Sequence, residues 1–420
     1  MDVDLAGQKE LSFPGDPTFQ YQGKVPGNKN GYFYSSDDGE AIFNINPNRP
    51  SSIHGHVATA DGKHFTLEFC GRKTYAWKEI DTANINMVEK GELALDNEKS
   101  EGNEGPELVA ITDDNTTIVE YSVKIYYTKE VEADTADLEG FFQQIIDETN
   151  LGYENSGIPL RIKAHCPEKL DIKETGKAQK LLNTLTNLNK KDYAKTRDGA
   201  DVAALLVMEL NYCGIAWINT INNGQLFSVT AKSCATGYYS FAHEIGHNIG
   251  ANHNKEVASN PKYPYGLGHL IKRGSASTGY RTIMAYSKKG HEQRVNYWSN
   301  PSVKLSLTGT PTGVAGVSNN AALLTAQRFK LAAVGDEKTG SCIPKGPAPE
   351  NGEIVCKMQT MSLKKLKTIK KVADAKACQV ECQNTKGCEA FNHKGKSCTL
   401  LQLVVRKKKS YCTGTPFNFN

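Results

Sequence analysis

One stretch of eleven residues, HEIGHNIGANH at 243–253, constrains this chain more than any other. His243 and His247 are four apart, which on a helix puts both imidazoles on one face. Two imidazoles at that spacing can bind one zinc ion. Glu244 follows the first of them and can face water at the metal, placed to act as general base and then general acid. Gly250 can end the helix, because glycine takes positive φ without penalty. The chain can then turn and bring His253 back as a third ligand. Three protein ligands leave a fourth position for water, the arrangement of a catalytic rather than a structural zinc site.

The chain around this motif alternates in character. TIVEYSVKIYYT, from residue 117, reads as a strand, and ADLEGFFQQIIDETNLGYENSG as an amphipathic helix with Leu138, Phe141, Phe142, Ile145 and Ile146 on one side. PLRIKAH, ADVAALLVM, GIAWINT and QLFSVTA read as further strands, the metal motif as a helix from about Tyr239, and NNAALLTAQRFKLAAV as a last helix. Strands alternating with helices predict an α/β sheet layer. Residues 1–88 differ: GYFYSS, AIFNI, SSIHGHVATA and KHFTLEFCG are short runs bounded by turn residues and predict a β-rich region. Residues 89–107 are acidic and nearly free of aromatics, a linker composition, and GDEKTGSCIPKGPAPENGE reads as a second linker. The expected parts are 1–107, with its linker at 89–107, then 108–345 and 346–420. A chain of 420 residues has room for them at about 150 residues per domain.

Charge and cysteine set the last part aside. Residues 346–420 hold 14 Lys and Arg against 5 Asp and Glu, while the first 345 hold 36 against 41. The net charge of +4 gives no reason to expect a nucleic-acid partner. No apolar run approaches the roughly 20 residues of a spanning helix. Six of the 11 cysteines crowd into the tail, which predicts a disulfide framework, an oxidising compartment and hence secretion. The opening MDVDLAGQKELSF lacks the basic and apolar regions of a signal peptide, so secretion implies a leader outside this sequence. A Cys213–Cys234 bridge would pin the stretch before the metal helix. Cys166–Cys342 could then tie the start of the middle part to its end, although four cysteines allow three connectivities. Cys70 is left over. Asn115-Thr116-Thr117 is the one N-glycosylation sequon.

The pattern H-E-x-x-H-x-x-G-x-x-H resembles the metzincin signature. Thr282-Ile283-Met284-Ala285-Tyr286 resembles the Met-turn of that clan, which implies Met284 as a hydrophobic floor under the three imidazoles. GIAW before the metal helix, the final helix and the cysteine placement look most like the reprolysin/adamalysin-like branch, over roughly 117–345. The resemblance implies an α/β catalytic domain, a mixed twisted sheet with an active-site helix and a C-terminal helix. It also implies hydrolysis of peptide bonds by zinc-activated water, with protein or peptide substrates lying along an edge strand, here GIAWIN. The selectivity pocket is expected beside the Met-turn, within 286–301. Two departures stand out. Asn254 occupies the place of the branch's usual Asp, and Tyr286 is similar to a tyrosine of astacins and serralysins that ligates zinc or supports the oxyanion. Many metzincin zymogens carry a prodomain Cys-Gly that blocks the zinc; Cys70-Gly71 resembles it, which implies that 1–107 is a prodomain with Cys70 as its switch.

The tail resembles a PAN/apple domain in its C-x3-C-x5-C spacing (378, 382, 388), Ala390-Phe391 and Cys398-x-Leu400, over roughly 350–415. That family's pattern implies bridges Cys356–Cys412, Cys378–Cys398 and Cys382–Cys388. Lys364, Lys365, Lys367, Lys370, Lys371 and 406–409 could form a patch for sulfated glycans or acidic proteins. The expectation is a secreted zinc metalloendopeptidase in zymogen form. Its rival is an adhesion protein that works through the basic tail and keeps the catalytic fold as a silent or secondary activity.

Overall fold

A computed structural model describes residues 10–12, 18–80 and 117–336 and the strands between 354 and 412, with short gaps at 38, 72–73, 259, 273–278 and 288–291. The chain forms two compact units, 1–345 and 346–420.

Among the described residues the first unit holds three sheets, the smallest made of β13 (Leu270–Lys272), β14 (Gly279–Arg281) and β15 (Gln293–Arg294). At its N-terminal end, β1 (Glu10–Ser12), β2 (Thr18–Val25), β3 (Asn28–Ser36), β4 (Gly39–Ile45), β5 (Ile53–Thr59), β6 (His64–Gly71) and β7 (Thr74–Ile80) pair in sequence order, each antiparallel to the next. Phe19, Tyr34, Phe43, Ile53 and Val57 form its small core.

The second sheet has the order β11 (Gly214–Ala216), β12 (Phe227–Ala231), β10 (Val202–Val207), β8 (Val119–Thr128) and β9 (Leu160–Leu170). All its pairs are parallel except β11 with β12. The central strand VAALLV is buried along its whole length, as a strand covered on both faces must be. Its side chains alternate: Val202, Ala204 and Leu206 join the core under the metal helix, while Ala203, Leu205 and Val207 meet the helix Ala178–Thr186 on the other face. Burying each such Val or Leu contributes on the order of 1.5–3 kcal/mol.

The helix Leu138–Asn155 lies between the N-terminal sheet and the second sheet. Asp137 caps it, accepting from the Gly140 amide at 3.1 Å. Its apolar stripe, Phe141, Phe142, Ile145 and Ile146, faces the second sheet's core. The polar side, which amphipathic spacing alone would leave to water, is buried as well. There Asn28 donates to Asp147 at 2.7 Å, Asn44 to Gln144 at 2.7 Å and Asn46 to Asp137 at 3.0 Å. Burial pushes the Asp147 carboxyl up to about 7 and the Glu148 carboxyl up to about 8. Burial also acts on Asp137, but hydrogen bonds from His54, Ser52 and Asn46 outweigh it and hold that carboxyl well below the usual range.

In the second unit, β16 (Ile354–Cys356) pairs with β20 (Ser410–Cys412), and β17 (Gln359–Lys370), β19 (Ser397–Lys407) and β18 (Ala390–Lys394) form a three-stranded antiparallel sheet. The register sets Cys356 opposite Ser410 and Cys412 opposite Ile354, on neighbouring strands. Cys378, Cys382, Cys388 and Lys371 lie outside the described residues, as do Asn115 and Cys342. Lys364, Lys365, Lys367 and Lys370 all stand on β17.

Candidate metal centre

The helix Ser240–Ile249 carries the first two histidines on its buried face. It ends at Gly250, whose φ of 114° lies in the region that favours glycine. The Gly250 amide caps the carbonyls of Gly246 and His247, and the reversed chain returns His253. Asn248 ties the helix to the sheet, donating to Trp217 O at 2.7 Å and Phe227 O at 3.0 Å. Met284 is fully buried. A Cβ placed on Gly246 would meet its sulfur at 2.8 Å, so Met284 sits against the helix between the two histidines.

His243, His247 and His253 converge; among the described residues they are the one group of three or more donors placed to hold a metal. The His247 Nε2 lies 3.1 Å from that of His243 and 3.0 Å from that of His253. Three nitrogens at zinc–nitrogen bonds of about 2.0–2.1 Å in tetrahedral geometry stand ~3.3 Å apart, so the cluster fits the ion with a few tenths of an ångström of expansion. The far side of two rings supports the same reading. His243 Nδ1 meets Ile283 O at 2.8 Å and His247 Nδ1 meets Ala251 O at 2.9 Å. Donation of Nδ1–H to a carbonyl leaves the Nε2 lone pair for a metal. Burial, reinforced by the neighbouring His247 and His243 and by Arg294, holds His253 well below its ordinary pKa and so neutral.

Glu244 is buried next to the first ligand and presses against the sheet edge: a Cβ on Gly214 would come within 2.4 Å of its Oε1. Gly214 opens β11, so the carboxylate and the edge strand share one site. Cys213 and Cys234 form a disulfide beside it. Cys166 is also disulfide-bonded, and its expected partner Cys342 is not described. The Tyr286 ring lies 3.8 Å from that of His253 and 5.9 Å from that of His243, centroid to centroid.

Cys70 is not brought to this centre. Its thiol, at the end of β6, is 3.7 Å from the carbonyl of Glu68, and burial followed by the Glu68 charge pushes its pKa up. It is not among the donors that converge at the histidines, and the β6–β7 register skips it between Phe69 and Gly71. The spacing also gave no sign of Asn248, of the bond between Asn254 and Tyr286, or of two buried arginines, Arg281 and Arg294. Asn248 stands inside the metal motif, Asn254 directly after it and Arg281 directly before the Met-turn, but neither motif nor periodicity records what these side chains bond.

Residues 119–299 match the model of Reprolysin_5, metallo-peptidase family M12. This segment is similar to metallopeptidases of that family. Peptidyl-Asp metalloendopeptidases from two strains of Stenotrophomonas maltophilia are 34% and 35% identical over 205 and 211 residues, each match covering 47% of this chain and 48% of the relative. The enzyme of the same name from Pseudomonas fragi is 49% identical over 78 residues, 19% of this chain and 52% of that protein. The chain thus spans about half the length of the curated relatives it matches. Their similarity supports a metallopeptidase segment, whose family typically uses zinc, and protein or peptide as the substrate class.

Proposed function

We propose that this chain is a zinc metalloendopeptidase that cleaves at aspartate. The observation that carries the peptidase reading is the buried convergence of three Nε2 atoms beside a carboxylate on a sheet edge. His243, His247 and His253 would hold the ion, which when bound acidifies water and polarises a carbonyl. Glu244 takes the proton of the attacking water and delivers it to the leaving amine. Its burial keeps bulk water from competing for that proton. β11 is the outer strand of its sheet among the described residues, and its edge without a strand partner would pair with an extended peptide, setting the scissile bond beside Glu244. Tyr286, whose ring lies beside that of His253, would support the oxyanion. The preference for aspartate is suggested by the name of the relatives. The Cys213–Cys234 bridge supports an oxidising, extracellular setting.

The test is cleavage of a denatured protein by the zinc-loaded chain, before and after brief proteolysis within 89–107, with Glu244→Ala as control. Activity that chelator and Glu244→Ala both abolish supports the reading. Activity that appears only after the cut adds latency imposed by the N-terminal part. A zinc-loaded chain that cleaves nothing in either form would overturn the assignment.

A further inference from the structure

The N-terminal sheet sends one aliphatic side chain into the part that carries the metal centre. β7 is the outer strand of that sheet among the described residues, and Ile80 is its last residue. The Ile80 side chain is partly buried against Cys213, Ala231, Cys234 and Tyr238. A Cβ on Gly237 would meet Ile80 Cδ1 at 2.5 Å, so the hollow that Ile80 fills exists because residue 237 has no side chain. Two half-cystines, an alanine and a glycine are small walls and leave room for a branched group. The Tyr238 ring among them is fixed in place. Arg281 donates to its hydroxyl and Arg294 to its backbone carbonyl, at 3.1 Å, and the two guanidinium groups lie 5.3 and 4.7 Å from its centroid. The hollow is therefore pre-formed, as binding pockets for apolar groups usually are.

This hollow adjoins the chemistry. Cys213 directly precedes Gly214, the first residue of β11, and a Cβ on Gly214 would come within 2.4 Å of Glu244 Oε1. The Cys213 carbonyl accepts the Ala231 amide at 2.9 Å, which carries the pairing of β11 with β12 one residue past Gly214 and Thr230. A peptide extended along β11 would run on past Cys213. Residues of an extended chain are about 3.3–3.6 Å apart, so a side chain one or two positions from the residue opposite Gly214 reaches the hollow. On its other side, Gly237 and Tyr238 lead into the metal helix Ser240–Ile249. The walls thus belong to the edge strand, its neighbour and the approach to the helix. The rest of the cover comes from the N-terminal sheet, where His56 and Thr66 join Ile80 and would lie 2.9 and 3.0 Å from the same Gly237 Cβ.

We propose that the hollow between the Cys213–Cys234 bridge, Ala231, Gly237 and Tyr238 is a substrate subsite for a branched aliphatic side chain, and that Ile80 fills it as an internal stand-in while the N-terminal sheet is in place. This rests on the peptidase reading above. The observed occupant sets the size and polarity of the ligand. An ionised carboxylate would lose its water among these walls and gain no partner, so the subsite is separate from whatever selects aspartate. Substrate and N-terminal sheet compete for one apolar surface.

The experiment measures kcat/KM of the zinc-loaded full chain on peptides in which each position near the scissile bond is varied in turn among Ile, Val, Ala and Asp. Wild type and Ile80→Ala are compared, intact and after the cut within 89–107. With the hollow open, in Ile80→Ala or after the cut, one position should favour Ile over Ala by roughly ten- to a hundredfold and reject Asp. In the intact wild type, where Ile80 competes, that ratio should fall toward one. Ala231→Val narrows the hollow and should cut the open-hollow ratio about tenfold. Because a wall substitution can disturb the fold, a second measurement leaves the walls untouched. The zinc-loaded double variant Ile80→Ala with Glu244→Gln, titrated calorimetrically with the uncleaved Ile and Ala peptides, should bind the Ile form more tightly. Equal kcat/KM for Ile and Ala at every position with the hollow open, or equal binding in the titration, would refute the subsite and leave the peptidase reading standing. A chain that neither cleaves nor binds any of these peptides removes both.

Discussion

Asn254 positions Tyr286. Its Oδ1 accepts the Tyr286 backbone N–H at 2.9 Å, and its Nδ2 donates to Glu256 at 2.8 Å, which orients the amide with its oxygen toward the tyrosine. The amide has a reason to stand where the related branch has Asp, since a carboxylate here would face that of Glu256. Asn254→Ala removes one hydrogen bond of roughly 1 kcal/mol and loosens the ring over His253. The expected result is a fall of about tenfold in kcat/KM with bound zinc unchanged, measured by steady-state kinetics beside metal analysis. Loss of zinc in the variant would instead assign Asn254 to holding the third ligand.

Gly214→Ala separates activity from stability. The added methyl meets the Glu244 carboxylate, the far end of a flexible side chain that can swing aside. We expect a small change in Tm and a loss of about a hundredfold or more in kcat/KM, because the displaced group is the proton carrier. Thermal denaturation and kinetics on one preparation decide it. A normal rate would mean that Glu244 works from another rotamer.

Metal removal should lower stability as well as activity. Three buried imidazoles, two of them within 3.1 Å of the His247 Nε2, gain from a shared cation, and a ligand at 100 times its Kd adds about 2.7 kcal/mol. Chelation should lower Tm by at least about 5 °C, and His247→Ala should abolish the recovery on adding zinc. An unchanged Tm across a zinc titration would argue against a resident ion.

The seam between the N-terminal sheet and the helix Leu138–Asn155 should respond to pH from both sides. The Glu148 carboxyl is raised from 4.5 to about 8, so the stability its protonated form gives is complete below about 4.5 and is lost as pH rises through about 8. Burial moves Glu40 and Asp147 the same way, to about 7. His64 is lowered from 6.5 to about 4, so its contribution is present above 6.5 and disappears as pH falls through about 4. Glu148→Gln should therefore flatten the alkaline limb, by on the order of 2–4 kcal/mol, and leave the acid limb alone. Denaturant titrations across this range measure both limbs.

Much of the centre was legible in the sequence because its parts are local. The i, i+4 histidines, the terminating glycine and the returning histidine lie within eleven residues, and the strands carry period-two or continuous apolar runs. The edge strand at 214–216 was readable for the same reason, although GIAWINT suggested a longer one. What could not be read depends on distant partners. Asn28 to Asp147 and Tyr297 to Glu40 join residues 119 and 257 apart. The burial of the helix's polar side follows from such pairings, which no periodicity records. Cys70 shows the converse: Cys70-Gly71 resembles a switch, but its thiol lies beside the carbonyl of Glu68, two residues back on the same strand, and not among the converging donors.

Among the described residues, the seam joins a small apolar cluster of Val25, Ile42, Leu151 and Phe33 with amides, hydroxyls, carboxylates and an imidazole. A junction of that kind bares little oily ground when it parts. Water can take over each of its bonds at nearly equal strength, so both halves would remain wettable once apart and would have little tendency to clump. Its hold comes from many modest, directional bonds that form or fail together, which suits a junction that is firm while whole and harmless once undone.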